Sequence, residues 1–439
     1  MRLIGFAFVL AIGACRAASN PSGTDCDDGA LDNVVRGGWS FSDLQGGNML
    51  QGSASLTHDS AGTTHACFAV GSVYHASRSG QEWSVDVVED AGLDQPGWGG
   101  SIAIDPSSTP DDPRVVCAHV SRDAASDDAR IRVDRLASRA WTGETITTIP
   151  RELDWAGAEA ERTAIAVDGS GSTHLFFREA ETLRYATDRN GPWRIETIDD
   201  EPGAGLWAQA ELDADGALHV AYLRYREDPG PELRHATNAA GTWSIEPVAD
   251  DGWVVDPSMA LGVDGSVHLV FGHWRPGAWE LRHATDAGGS WSTDTLETGD
   301  AAGAHTSVDV DAAGFVHASW QDADGDLAYA TNASGAWARD EIDSNEPTGY
   351  WNALQLDRAG VVDVLFASTS PDRVRVATNR AAPDGVDQDC DGVDGADADG
   401  DGFASGPTGG ADCVDEDDSI HPDAPDPLDG IDRDCDGQD

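Results

Sequence analysis

Lysine is absent from this 439-residue chain: all 27 basic residues are Arg, against 79 acidic ones, for a formal net charge of −52 at pH 7. A surface so short of cations cannot neutralise a phosphate backbone, which excludes nucleic-acid binding through counterion release. It repels anionic polymers, stays soluble and attracts divalent cations. No apolar run is long enough to cross a bilayer, since the one at Leu3–Ile12 stops short of a spanning helix. GxSxG and HExxH motifs are missing too, which removes the nucleophile-elbow hydrolase and zincin readings. What is present is enough apolar residue, 40% of the chain, to fill a core.

The N-terminus reads as an export signal, with Arg2 as a minimal charged region ahead of the short apolar stretch. Ile12-Gly13-Ala14-Cys15 follows and resembles the bacterial lipobox, which implies a lipid on the Cys15 thiol. Residues 1–15 are then a lipoprotein signal and 16–33 a linker. The expected location is the outer membrane or the cell surface as a lipoprotein. The alternative is ordinary cleavage near Ala17-Ala18 and a periplasmic or extracellular protein. Setting Cys15 aside leaves Cys26, Cys67, Cys117, Cys390, Cys413 and Cys435, and in an oxidising compartment an even set reads as disulfides.

The middle of the chain repeats itself. Segments 183–199 (LRYATDRNGPWRIETID), 233–250 (LRHATNAAGTWSIEPVAD) and 281–297 (LRHATDAGGSWSTDTLE) are near copies, and a fourth starts at Leu327. Ahead of each lies another pair of short alternating segments, so each unit supplies four strands, A to D. A marker Trp opens strand D at Trp83, Trp141, Trp193, Trp243, Trp291 and Trp337, roughly fifty residues apart, the period of four-stranded propeller blades. The last copy, Asn352 to Asn379, supplies A, B and C and stops before a marker Trp. Conversely, Val34 to Ser42 reads as a strand D with no A, B or C before it. Joining the two predicts an all-β, seven-bladed propeller over 34–380, closed by its N-terminal strand so that no sheet edge stays open.

An Asp at the end of strand A recurs with a His six residues later in strand B: Asp59/His65, Asp168/His174, Asp213/His219 and Asp311/His317. A catalytic pair is needed once, so repetition assigns these to cross-strand contacts that fix the A to B hairpin. In the last blade Asp357 is followed by Asp363 instead.

The tail, 384–439, is dense in Asp, with Arg433 its single cation. Three DxDxDG strings stand in this region: Asp387, Asp389, Asp391; Asp397, Asp399, Asp401; and Asp432, Asp434, Asp436, each followed by Gly. Alternate carboxylates converge on one hard cation and the Gly permits the turn. With Asp412, Asp415 and Asp417 these are the candidate metal ligands. The run from Asp397 to Phe403, then Ala411 to Asp418, His421 to Pro425 and Asp429 to Gly437, resembles the MopE-like metal-binding motif of secreted bacterial proteins. Copper prefers imidazole and sulfur, and the tail offers one His, His421, so its ligand set favours several Ca²⁺ ions. Asp25 to Asp28 looks like the first half of that motif and Asp384 to Gly392 like its second. The resemblance therefore implies Cys26–Cys390 and Cys413–Cys435 bridges, with the propeller inserted between the two halves. Cys67 and Cys117 occupy corresponding strand B places in blades 1 and 2, and their pairing stays open at this stage.

In a propeller the D to A and B to C loops emerge on one face around the channel. Here they carry Trp98, Trp155, Trp207, Trp253, His305, Tyr350 and Trp351, together with Arg122, Arg178, Arg224, Arg226, Trp274 and Arg275. Aromatics interleaved with Arg suit sugar faces and carboxylates, which makes Trp98, Trp207, Trp253, Trp351, Arg224, Arg226, Trp274 and Arg275 the candidate ligand-binding set. The opposing account packs these Trp between blades and pairs each Arg with a local carboxylate. The expected function is a non-catalytic, surface-displayed, monomeric binding protein whose partner is a carbohydrate or envelope polymer, in the manner of lectin-like or sialidase-like propellers. The alternatives are a glycan-processing enzyme of sialidase or lyase type and a structural envelope protein. No Asp-box and no nucleophile pair stands out for the enzyme.

Overall fold

A computed structural model describes residues 39–46 and, with short breaks, 54–379. Cys15, Cys26, Trp98, Trp155 and the tail with its carboxylates and Cys390, Cys413 and Cys435 lie outside the described residues.

The described residues form seven four-stranded antiparallel sheets. Blades 1 to 6 are each built from consecutive hairpins, with strands A at Ala54–His58, Ser101–Ile104, Ala164–Val167, Ala204–Leu212, Trp253–Leu261 and Ala304–Val310. Blade 7 takes Tyr350–Leu356, Val362–Thr369 and Asp372–Thr378 from the end of the described chain and Ser40–Gly46 from its start. The register Ser40↔Thr378, Phe41↔Ala377, Ser42↔Val376 closes the ring as the truncated first and last copies predict. Phe41 buries its ring edge-on to Phe366 of the same blade, at 6.3 Å between centroids. Trp39, 2% exposed, stands edge-on to Tyr329 of blade 6 at 5.4 Å and donates Nε1–H to Asp340. One short segment thus holds its own blade and the neighbouring one.

The marker Trp has the same duty elsewhere. Trp141 meets His75 of blade 1, Trp243 meets Tyr185 of blade 3, Trp291 meets His235 of blade 4 and Trp337 meets His283 of blade 5. These four and Trp39 are therefore inter-blade wedges on strand C of the blade before, in edge-to-face geometry, while Trp193 meets Arg135 of blade 2 through its ring face.

The Asp and His of strands A and B feed that wedge. One oxygen of Asp168 accepts the backbone N–H groups of Ser170 and Ser172, and the other lies 3.3 Å from His174 Nε2, whose Nδ1 meets the Tyr185 hydroxyl at 2.6 Å. Asp213, His219 and His235 repeat the arrangement, as do Asp311, His317 and Tyr329. Burial, then the neighbouring His65, pushes His75 down to about 3, and burial followed by His268 pushes His283 to about 4. His75 and His283 are thus neutral struts in a row of turn residue, strand B His, strand C His or Tyr, and the next blade's Trp.

Blade 7 departs from the row because its strand B residue, Asp363, faces the ring seam. Its carboxylate lies 2.6 Å from Arg78 Nη2, 3.2 Å from His58 Nε2 and 3.0 Å from the Thr64 hydroxyl, all in blade 1. Burial alone would raise the Asp363 pKa, but the His58 hydrogen bond and the Arg78 charge outweigh it and hold the group below the usual carboxylate value.

Candidate functional site

The seven strands A line a central channel with a cavity of about 410 Å³. Strand A carries a β-bulge in blades 4 to 7, between Leu206 and Gln209, Val255 and Ser258, Ala304 and Ser307, and Tyr350 and Ala353. At each bulge a non-glycine residue sits in the left-handed region: Trp207 (φ 50°), Asp256 (44°), His305 (50°) and Trp351 (54°). Such a conformation costs about 1–3 kcal/mol per residue and persists where packing over-determines it. Each lies six residues before the A to B turn, and Arg162 holds the same place in blade 3. The bulge belongs to the repeat. The side chains it carries do not, and that difference marks a site.

Four of these residues converge at the channel mouth. Arg162 stacks over the Trp351 ring at 5.3 Å and approaches Asp256 at 4.0 Å. The His305 ring lies 4.3 Å from the Trp351 ring, and its Nδ1 is 3.7 Å from Asp256 Oδ2. His305 also donates its backbone N–H to Asp256 Oδ2. Thr306 donates its hydroxyl to the Asp256 and Val270 carbonyls, and Asn352 donates its amide to the His305 and Gly349 carbonyls, so blades 5, 6 and 7 hold the cluster rigidly. Burial is the main cause that pushes the His305 pKa down; Asp256 opposes it and Arg162 reinforces it. The imidazole is therefore neutral at pH 7.

Deeper in the channel stand two carboxylates. Glu211 accepts the Leu261 N–H, and Asp309 accepts the Leu356 N–H and the Gln355 amide. Burial, then the Asp309 charge, raises Glu211 to about 8, while burial raises Asp309 to about 6 against the hydrogen bonds it accepts.

The residues singled out from sequence separate into groups. Trp351 lines the channel mouth. Trp207 is 6% exposed and packs between blades 4 and 5 with Leu223, Val254 and Met259. Trp253 and Trp274 are directly opposed on strands A and B of blade 5, with Trp274 exposed. Arg275 beside them pairs with Asp251 and Glu280. Arg224 pairs with Glu201 and Glu232, and Arg226 with Glu232 and the Asp250 carbonyl. Sequence reasoning passed over Arg162 and Asp256. Aligning the copies by the strand B residue, His174, His219, His268, His317 and Asp363, would have put both in the column of Trp207, His305 and Trp351, twelve residues earlier in every case.

No protein-family model matches the chain, and no curated protein does. Among solved structures it is similar to the GH93 α-L-arabinofuranosidase of Fusarium graminearum in complex with arabinobiose, at 13% identity over 79% of this chain and 97% of that one, with a TM-score of 0.48. It is also similar to the Aleuria aurantia lectin in complex with Fucα1-6GlcNAc, at 14% identity over 68% and 97%, TM-score 0.43. The intramolecular trans-sialidase of Ruminococcus gnavus stands at 12% over 74% and 91%, TM-score 0.41. The likeness is one of fold.

Proposed function

We propose that the protein binds carbohydrate at the channel mouth, on Trp351, Arg162, Asp256 and His305. The observation that supports this most is that four dissimilar side chains, an indole, a guanidinium, a carboxylate and a neutral imidazole, occupy one column of an otherwise regular repeat, and that three of them, Asp256, His305 and Trp351, do so in the left-handed region. An indole suits the apolar face of a pyranose, and the three polar groups together donate to and accept from hydroxyls. The ligand is a neutral sugar rather than an acidic one. The chain carries a charge of −52, Asp309 stands behind Gln355 of the channel lining, and Arg224, Arg226 and Arg275 already face carboxylates.

A glycan array followed by calorimetry on the intact protein tests this reading. Trp351→Ala and Arg162→Ala are each expected to weaken binding about tenfold or more, equivalent to about 1.4 kcal/mol. Trp274→Ala, in the blade 5 patch, should change it little. Array silence, or binding lost with Trp274 and kept without Trp351, would refute the channel site. The similar folds include enzymes and a lectin, so the same samples should be assayed for turnover. Catalysis is the second reading, favoured by the neutral His305 with its Nδ1 3.7 Å from Asp256, an acid/base pair at the channel mouth. His305→Ala abolishing cleavage while preserving binding would establish it.

The rest of the reading rests on sequence. The protein is exported, with Cys15 lipidated, and its tail holds several Ca²⁺ ions on the three DxDxDG strings and Asp412, Asp415 and Asp417. Titrating Ca²⁺ into the full chain is expected to give saturable uptake at or below millimolar concentration. Asp397→Asn with Asp399→Asn should reduce the stoichiometry, and no uptake would remove the calcium sites.

A further inference from the structure

We infer that Cys67 and Cys117 form a disulfide that staples blade 1 to blade 2. Both stand in strand B of their blades, Thr64–Val70 and Val115–Arg122, and neither has any exposed surface. Both belong to one apolar cluster with Val73, Ile102, Val115 and Leu136, at the seam between the two blades. Their burial in this one cluster brings the two thiols close enough for the Cys67 sulfur to act on the Cys117 thiol. Gly100, at the entry to strand A of blade 2, packs on Cys67 of blade 1: a Cβ there would stand in ordinary contact, 3.5 Å from the Cys67 carbonyl and 3.7 Å from its Sγ. The bond would reinforce a seam that is also joined by the hydrogen bond from the Ile102 N–H to the Ser55 hydroxyl, by Glu89 of blade 1 with Arg132 and His119 of blade 2, and by the Trp141 wedge on His75.

The chemistry balances with a disulfide oxidant. One thiolate attacks an external disulfide and releases one thiol, and the second thiolate resolves the mixed disulfide and releases the other. The two protein thiols thereby lose two protons and two electrons. The attacking species is the thiolate, and burial, followed by the Cys67 sulfur, pushes the Cys117 thiol well up. The bond consequently forms while the chain folds, before the seam closes, and afterwards resists exchange.

Trypsin provides a clean readout because Arg is the only basic residue. Cleavage at Arg36, Arg78, Arg114 and Arg122 leaves residues 37–78 with Cys67 alone and 115–122 with Cys117 alone. The full chain, refolded with oxidised and reduced glutathione and digested without reductant, is expected to yield these two peptides linked, and reductant should separate them. Adding the same glutathione to reduced, already folded protein should link them at least about tenfold more slowly, because burial disfavours the attacking thiolate and keeps the oxidant out. Cys117→Ala should leave Cys67 open to alkylation after denaturation, with no linked peptide. Recovering both peptides as alkylated thiols after oxidative refolding would overturn the inference. So would finding either one joined to Cys26, Cys390, Cys413 or Cys435. The peptide map of the wild-type chain decides the matter even if the variant fails to fold.

Discussion

Asp363→Ala is expected to lower the stability of the propeller by about 3–5 kcal/mol, the range for removing one partner from a buried ion pair. The loss comes from what is left behind. Arg78, 8% exposed, would keep its charge with no carboxylate at 2.6 Å, and His58 and Thr64 would lose an acceptor at the seam that closes the ring. Chemical denaturation followed by Trp fluorescence reads the effect as a shift in midpoint. Asp363→Asn should lie between wild type and Ala, because the amide oxygen still accepts. Adding Arg78→Met to Asp363→Ala should recover part of the loss, because the stranded charge is then removed. Acid should act in the same direction. Asp363 is held below its ordinary value, so its contribution is fully present above the unfolded carboxylate pKa and is lost as pH falls through the folded one. A variant that unfolds with the wild-type midpoint would mean that the seam does not depend on this cluster.

Glu211→Gln should stabilise the protein at slightly alkaline pH, by on the order of 2–4 kcal/mol at pH 8 to 9. Glu211 has its pKa raised to about 8 from an ordinary value of 4.5, chiefly by burial and then by Asp309. Between those two values the folded chain holds a proton that the unfolded chain has released. Stability therefore falls as pH rises through this window and levels off above the folded pKa. Asp309, raised to about 6, adds to the same slope at its lower end. Gln keeps the oxygen that accepts the Leu261 N–H and removes the charge, so the slope should flatten and the alkaline stability should rise. Melting temperatures of both proteins from pH 5 to 9 test this. Equal slopes would show that the channel carboxylate is solvated well enough to ionise freely.

Much of the architecture is written locally. The recurring Trp, the turn Asp and the period of about fifty residues each report a short-range event: a strand start, a capped hairpin, a repeated unit. The incomplete first and last copies even reveal which strand closes the ring. The Asp/His pairs were legible as structural because they recur. The candidate site was half legible. Trp351 and His305 stand out as large residues in a loop before strand A, whereas Arg162 and Asp256 look like ordinary surface charges until the folded ring brings them against the other two. Trp207 shows the converse, since a Trp in that column turns into the core between blades 4 and 5.

The sequence by itself determined the strand count, the seven blades, the closing strand and the structural role of the Asp/His pairs, because hydrophobic alternation, turn chemistry and repeat period act over a few residues. Only the tertiary structure decided which side chains meet across blades. Arg162 beside Trp351, Asp363 between Arg78 and His58, and the Cys67 thiol against that of Cys117 are contacts between segments far apart in the chain. Their distances are set by how tightly the sheets pack around the channel, and no local pattern encodes that.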